Sequence, residues 1–329
     1  MRFNLFRTHY TYDIQSFTFY NIFSPRPTDD MIITYSPLYA HPLPNGHRFP
    51  MEKYLLLEGQ LKLEGIGRDG QWICPQEVSD TDVLRVHDPA YFQRLNEGQL
   101  TSKEERASGF KWSQALIRRE KIIMEGTRLC AIEAAKGGVA LNIAGGTHHA
   151  FRDRPEGFCL LNDLVIAASH LLETQQSQQV LIVDLDVHQG NGTAELVAGN
   201  PCIYALSLHG AENYPFRKTQ SDLDIALPTG TADAEYLTAL DRALDLAFEQ
   251  ARPDVVLYQC GVDVLETDKL GKLKLSPAGC AARDRRVFAK CRQHDVGVAC
   301  AMGGGYSPNI ADIVSAHMTT FQLARALWT

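Results

Sequence analysis

Two carboxylates and an imidazole interrupt an otherwise apolar run, Val180-Leu181-Ile182-Val183-Asp184-Leu185-Asp186-Val187-His188, before the chain turns polar and glycine-rich at Gln189-Gly190-Asn191-Gly192. Burying unpaired carboxylates is costly, so these acids must meet cations, hydrogen-bond donors or a metal. Asp186 and His188 stand two apart and in an extended segment point the same way. A carboxylate oxygen and an imidazole nitrogen can then bind one ion, while Asp184 accepts a hydrogen bond from another histidine. Two further imidazoles lie upstream in Asn142-Ile143-Ala144-Gly145-Gly146-Thr147-His148-His149, where a glycine-rich loop lets both reach one cavity. Asp263 follows the run Val255-Val256-Leu257-Tyr258-Gln259-Cys260 through Gly261-Val262. With Asp186 and His188 it makes a three-donor set whose two carboxylates balance a divalent cation and leave positions open for water and substrate. A helix cap is the competing use of such an acid. Finally, Met302-Gly303-Gly304-Gly305-Tyr306 places a phenol on a loop expected to be mobile, where its hydroxyl can donate to a developing oxyanion. These glycines match neither Gly-x-x-x-x-Gly-Lys-Ser/Thr nor Gly-x-Gly-x-x-Gly, which disfavours a phosphate loop.

The elements that must hold these residues read as an α/β domain. Near-continuous apolar runs at 139–143, 180–186, 202–208, 255–259 and 296–301 suit strands buried on both faces of a parallel sheet. Between them, 112–136 has helical spacing and stops at Gly137-Gly138, and Ser276-Pro277 supplies a cap and first-turn proline for a helix to about 293. The alternation predicts one α/β domain, a central, mostly parallel sheet flanked by helices on both faces, with ligands beyond the carboxyl ends of the strands. That domain covers 31–329 and opens on the strand-like Met31-Ile32-Ile33-Thr34-Tyr35; residues 1–30, aromatic and polar without a period, form an N-terminal extension.

Taken together and in order, Gly-Gly-Thr-His-His, Asp-Leu-Asp-Val-His-Gln-Gly-Asn-Gly, Gly-Val-Asp and Gly-Gly-Gly-Tyr resemble the zinc-dependent histone deacetylase family. So do Gly46-His47-Arg48-Phe49-Pro50-Met51, Val86-His87-Asp88-Pro89-Ala90-Tyr91, Gly157-Phe158-Cys159-Leu160-Leu161-Asn162-Asp163 and Leu275-Ser276-Pro277-Ala278-Gly279. The resemblance implies the arginase-like fold and a deacylase hydrolysing N-acyl lysine amides, acetyl or longer fatty acyl, with metal-activated water. It implies zinc ligands at Asp186, His188 and Asp263, tandem catalytic histidines at His148 and His149 served by Asp184 and Asn191, and a carbonyl-polarising Tyr306. It further implies an acyl-lysine channel at Gly157, Phe158, Tyr214 and Gly304, and a potassium ion held by Asp184, Asp186, His188, Ser207 and Leu208. Most members carry an Asp where this chain has Asn191, so His149 loses an anionic partner and its pKa is expected to fall. That version, like Gly109-Phe110-Lys111-Trp112-Ser113, resembles the class IV branch.

Zn2+ and Fe2+ both suit a carboxylate and imidazole site. The loop after Leu208-His209 is short and no rim acid is matched, so an acyl-lysine protein or peptide and an acylated small amine such as an acetylpolyamine both remain as substrates. A dinuclear manganese arginase is disfavoured, since position 190 is glycine where its relatives continue Asp-x-His-x-Asp. A silent binding module would have lost a ligand or the tyrosine, and neither is lost. The net charge of -7 disfavours direct nucleic-acid binding, and the basic clusters at Arg118, Arg119 and Lys121 and at Arg283, Arg285 and Arg286 are interrupted by acids. Eight scattered cysteines, none in a Cys-x-x-Cys pair, read as reduced thiols, and no apolar run approaches the roughly 18 residues of a membrane span. A cytoplasmic location is the expectation.

Overall fold

The computed structural model describes residues 31–68 and 70–328; the N-terminal extension expected at 1–30 lies outside the described residues. Eight strands form one sheet: β1 Ile32–Thr34, β2 Trp72–Ile73, β3 Val139–Asn142, β4 Val180–Asp184, β5 Ile203–Gly210, β6 Leu223–Leu227, β7 Val255–Gln259 and β8 Gly297–Ala301. Their order is β2-β1-β3-β8-β7-β4-β5-β6, and every pairing is parallel. The mostly parallel sheet expected from sequence is thus wholly parallel. The central strands β3, β8, β7 and β4 are buried at every position, which is why their sequences run apolar without alternation.

Helices cover both faces. Gln114–Ala135, capped by Ser113, packs with Asp163–Glu173, while Asp233–Ala251, Pro277–Gln293 and Ile310–Trp328 pack in succession in a second layer. Ser276 caps Pro277–Gln293 by accepting the Gly279 N–H at 3.0 Å, with Pro277 in the first turn. The chain leaves β3, jumps to β4, builds outward through β5 and β6, and returns to fill the gap with β7 and β8. The carboxyl ends of four adjacent central strands therefore open together at the reversal of strand order, where a doubly wound sheet forms a crevice.

One buried ion pair braces that crevice from below. Arg283, 0% exposed on the helix Pro277–Gln293, donates to the carbonyls of Leu185, Gly261 and Cys260, which follow β4 and β7. Its partner Asp284 also accepts the Tyr258 and Thr320 hydroxyls, each at 2.6 Å. Arg283→Met strips this carboxylate of its cation and three carbonyls of their donor. The expected result is a loss of about 3–5 kcal/mol in urea-unfolding stability; an unchanged midpoint would refute the brace.

Candidate active site

β4 ends at Asp184, two residues earlier than the apolar pattern suggests. Beyond it the backbone bends, and the Asp186 N–H closes back onto Asp184 Oδ1 at 3.2 Å. Asp186 and His188 consequently converge by turning rather than by strand alternation: Asp186 Oδ1 accepts the His188 N–H at 3.0 Å and lies 3.1 Å from its Nδ1. Asp263, after β7, caps no helix. Its Oδ1 accepts the Val187 N–H at 2.9 Å and its Oδ2 lies 3.1 Å from His188 Nδ1.

One donor atom from each of Asp186, His188 and Asp263 lies within 4.8 Å of the others, and all three residues are buried. Burial, with the Asp186 charge added, pushes the Asp263 carboxyl up to about 7. Crowded, dehydrated carboxylates beside an imidazole nitrogen form a donor set that a divalent cation neutralises, so the residues fit a zinc-type ion.

The loop after β3 delivers the tandem histidines beside this cluster, with ring centroids 4.1 Å apart. It is anchored by Asp163, whose carboxylate accepts the N–H groups of Gly146 and Thr147 at 2.9 and 2.8 Å. His148 Nδ1 lies 2.7 Å from Asp184 Oδ2. Desolvation opposes a charge there, but the Asp184 and Asp186 carboxylates prevail and hold His148 up at about 9. His149 is the opposite case: burial first, then the charges of His148 and His188, press its pKa well below the usual value.

The hydrogen bonds around His149 also fix its tautomer. Asn191 Nδ2 donates to Glu156 Oε1 at 2.9 Å, which turns Asn191 Oδ1 toward His149 Nδ1 at 2.6 Å. Nδ1 must therefore carry the proton, leaving Nε2 with a lone pair. Glu156 also accepts the Tyr214 hydroxyl, so Tyr214 and Asn191 share one carboxylate. This acid was not picked out from the sequence, although it directly precedes Gly157-Phe158.

Of the residues expected to form a channel, Gly157 and Phe158 line two adjoining cavities, Tyr214 the larger and Gly304 the smaller. Gly157 has φ 53° and lies so close to His149 that a side chain would strike the ring. Phe158 packs with Phe49, Phe110 and Tyr306 at centroid separations of 5.4, 5.6 and 6.0 Å, and the Tyr214 ring meets His149 edge-on at 5.1 Å. Gly304 donates its N–H to Asp186 Oδ2 at 2.9 Å, and an added methyl would overlap the Asp263 carboxylate. Ser207, expected to share a potassium ion with Asp184, pairs with it in register, and Leu208 follows; the Ser207 hydroxyl lies 3.0 Å from His209 Nδ1.

Tyr306 departs from expectation in one respect. Its loop is pinned rather than mobile, because the Tyr306 N–H donates to Asp268 at 2.6 Å and buried Lys53 reaches the Gly303 carbonyl at 2.8 Å. Burial, then the Asp186 and Asp263 charges, raise the Tyr306 phenol well above its ordinary pKa, so it stays a donor. Burial likewise brings Lys53 down to about 8 despite the nearby acids.

Two cavities adjoin beside this cluster, sharing His149, Phe158, His188 and Tyr306. An outer one of about 350 Å³ includes Phe158, Tyr214, His149, His188 and Tyr306 in its walls, and an inner one of about 40 Å³ lies among Arg119, Gly145, Gly146, Thr147, His148 and Cys159.

The family model described as a histone deacetylase domain matches residues 47–321. Over 296 residues the chain is similar, at 41% identity, to an uncharacterized protein of Picosynechococcus sp., covering 90% of this chain and 99% of that one. It is similar to histone deacetylase 2 of Arabidopsis thaliana at 29% identity over 307 residues, covering 88% and 78%. Among solved structures, an HDAC homolog from Aquifex aeolicus matches with a TM-score of 0.76 at 24% identity, covering 90% and 84%, a likeness that speaks for the fold. With its wholly parallel sheet of the arginase-like type and a buried donor set at the strand ends, the chain belongs to the histone deacetylase family, hydrolases of amide bonds.

Proposed function

We propose that the protein is a zinc-dependent deacylase that removes short acyl groups, acetyl foremost, from the side-chain amide of lysine. The observation that carries this reading is a pair of cavities that share His149, His188 and Tyr306 in their walls, beside the cluster that His188 forms with Asp186 and Asp263. An amide whose carbonyl sits at that cluster, with its amine chain in the ring-walled outer channel, must place its acyl substituent inward. About 40 Å³ of inner space is room for two or three water-sized groups, which suits an acetyl better than a fatty chain.

Asp186, His188 and Asp263 would hold the zinc ion, which would supply Lewis acidity toward the acyl oxygen and water. The chain's own groups do the rest. His149, the free base, takes a proton from water at Nε2 and returns it to the leaving amine nitrogen. His148, paired with Asp184, contributes positive charge beside the reacting carbonyl. Tyr306 donates its hydroxyl to the oxyanion as the carbonyl becomes tetrahedral, while Gly157, Phe158 and Tyr214 sheathe the lysine methylenes.

The test is hydrolysis of an acetyl-lysine peptide, a myristoyl-lysine peptide and acetylputrescine by the zinc-loaded protein, beside Tyr306→Phe. The acetyl-lysine peptide should be turned over best, and Tyr306→Phe should lower kcat about 10²–10³-fold. Activity on acetylputrescine alone would move the function to small amines, and preference for the myristoyl peptide would rule out the inner cavity as the acyl site.

A further inference from the structure

The channel mouth carries charges that hydrolysis does not use. Arg48, Arg106, Lys272 and Glu212 border the outer cavity. The single acid of this border is already engaged, 3.7 Å from Lys272 and accepting the Thr229 hydroxyl at 3.0 Å. Glu156, deeper in, is committed to Asn191 and Tyr214. Among the described residues, neither Arg48 nor Arg106 has an ion-pair or hydrogen-bond partner, and both are exposed.

These guanidinium groups stand on fixed backbone. His47 Nε2 bonds the Gly109 carbonyl at 2.9 Å, and its ring stacks on Phe110 at 5.7 Å, which fixes the start of the segment bearing Arg48. Arg106 lies in the helix Ser102–Ser108, whose end is tied to the channel: the Gly157 N–H donates to the Ala107 carbonyl at 2.9 Å and the Phe158 N–H to the Ser108 carbonyl at 3.0 Å. Phe216, 89% exposed, lies on the same mouth.

Two exposed forked cations, unpaired among the described residues and beside a deep channel, attract carboxylates, and a local cluster focuses that field even on a chain whose net charge is -7. A polyamine would instead bring its distal ammonium against Arg48 and Arg106. We propose, resting on the deacylase reading above, that the mouth recognises acyl-lysine within an acidic peptide segment, with Asp or Glu side chains flanking the lysine seated on Arg48 and Arg106. The substrate class is thus an acidic acylated protein segment, neither a basic tail nor a polyamine.

The experiment compares three acetyl-lysine peptides of equal length with glutamate, serine or lysine flanks, measuring kcat/KM and, separately, binding of the labelled peptides by fluorescence anisotropy. The expected result is the order glutamate, serine, lysine, with about tenfold per step at low ionic strength, the size that two rim ion pairs supply, and convergence in high salt. In Arg48→Glu/Arg106→Glu the order of the glutamate and lysine peptides should invert. Turnover without flank preference, or a preference that survives the double reversal, overturns the proposal and leaves the deacylase reading standing. Charge-ordered binding that follows the reversal, without turnover of any peptide, upholds the mouth and overturns the deacylase reading.

Discussion

Asp263→Asn is expected to bring hydrolysis down to the assay background and to leave the purified protein without its equivalent of zinc. The carboxylate has two tasks at once: Oδ1 fixes the Val187 N–H at 2.9 Å, and Oδ2 faces His188 Nδ1 at 3.1 Å. An amide retains one oxygen for the backbone but removes the negative charge that, with Asp186, balances a divalent ion. Elemental analysis after dialysis, followed by chelation and zinc re-addition, separates loss of metal from loss of fold. The native chain should lose and regain activity, whereas the variant should do neither. A variant retaining one zinc and native turnover would remove Asp263 from the site.

His149→Ala should lower kcat about 10²–10⁴-fold at pH 7 while KM for the acetyl-lysine peptide moves little, since the group lost handles a proton rather than the lysine chain. The depressed pKa adds a signature in the native enzyme. A base must be neutral to accept, so on the acidic side activity falls where pH drops below the His149 pKa, and that limb lies below the roughly 6.5 of free imidazole. Once protonated, such an imidazole is a strong acid and readily protonates the departing amine. A pH profile of kcat/KM with its acidic midpoint above 6.5 would contradict the role given to His149.

The legible part of this molecule follows from burial. Strands covered on both faces write themselves as unbroken apolar runs, so β3, β4, β5, β7 and β8 stood out, and acids at their ends were conspicuous against Val, Leu and Ile. β2, with two residues, and the partly exposed edge strand β6 carry no such mark. Arg283 was read as one of a basic cluster because sequence does not distinguish a guanidinium folded under a sheet from one in solvent; only the carbonyls of Cys260, Gly261 and Leu185 reveal the difference. The Tyr306 loop misled in the other direction. Three glycines suggest freedom, yet Gly304 serves close approach to Asp186 and Asp263, and Asp268 and Lys53 fasten the loop. The arginines at the mouth were silent because charge on a rim has no period.

Tyr214, Glu156, Asn191 and His149 are joined end to end by hydrogen bonds, which ties one wall of the cavity to the imidazole proposed as the base. A guest that fits between Phe158 and Tyr214 leaves this chain taut, with Nε2 presented to water. A guest wide enough to displace Tyr214 is expected to break this chain at its first link and to leave Glu156 with Asn191 alone. Selection by shape is then expected to show in kcat rather than KM, with an ill-fitting amide occupying the channel without being cleaved.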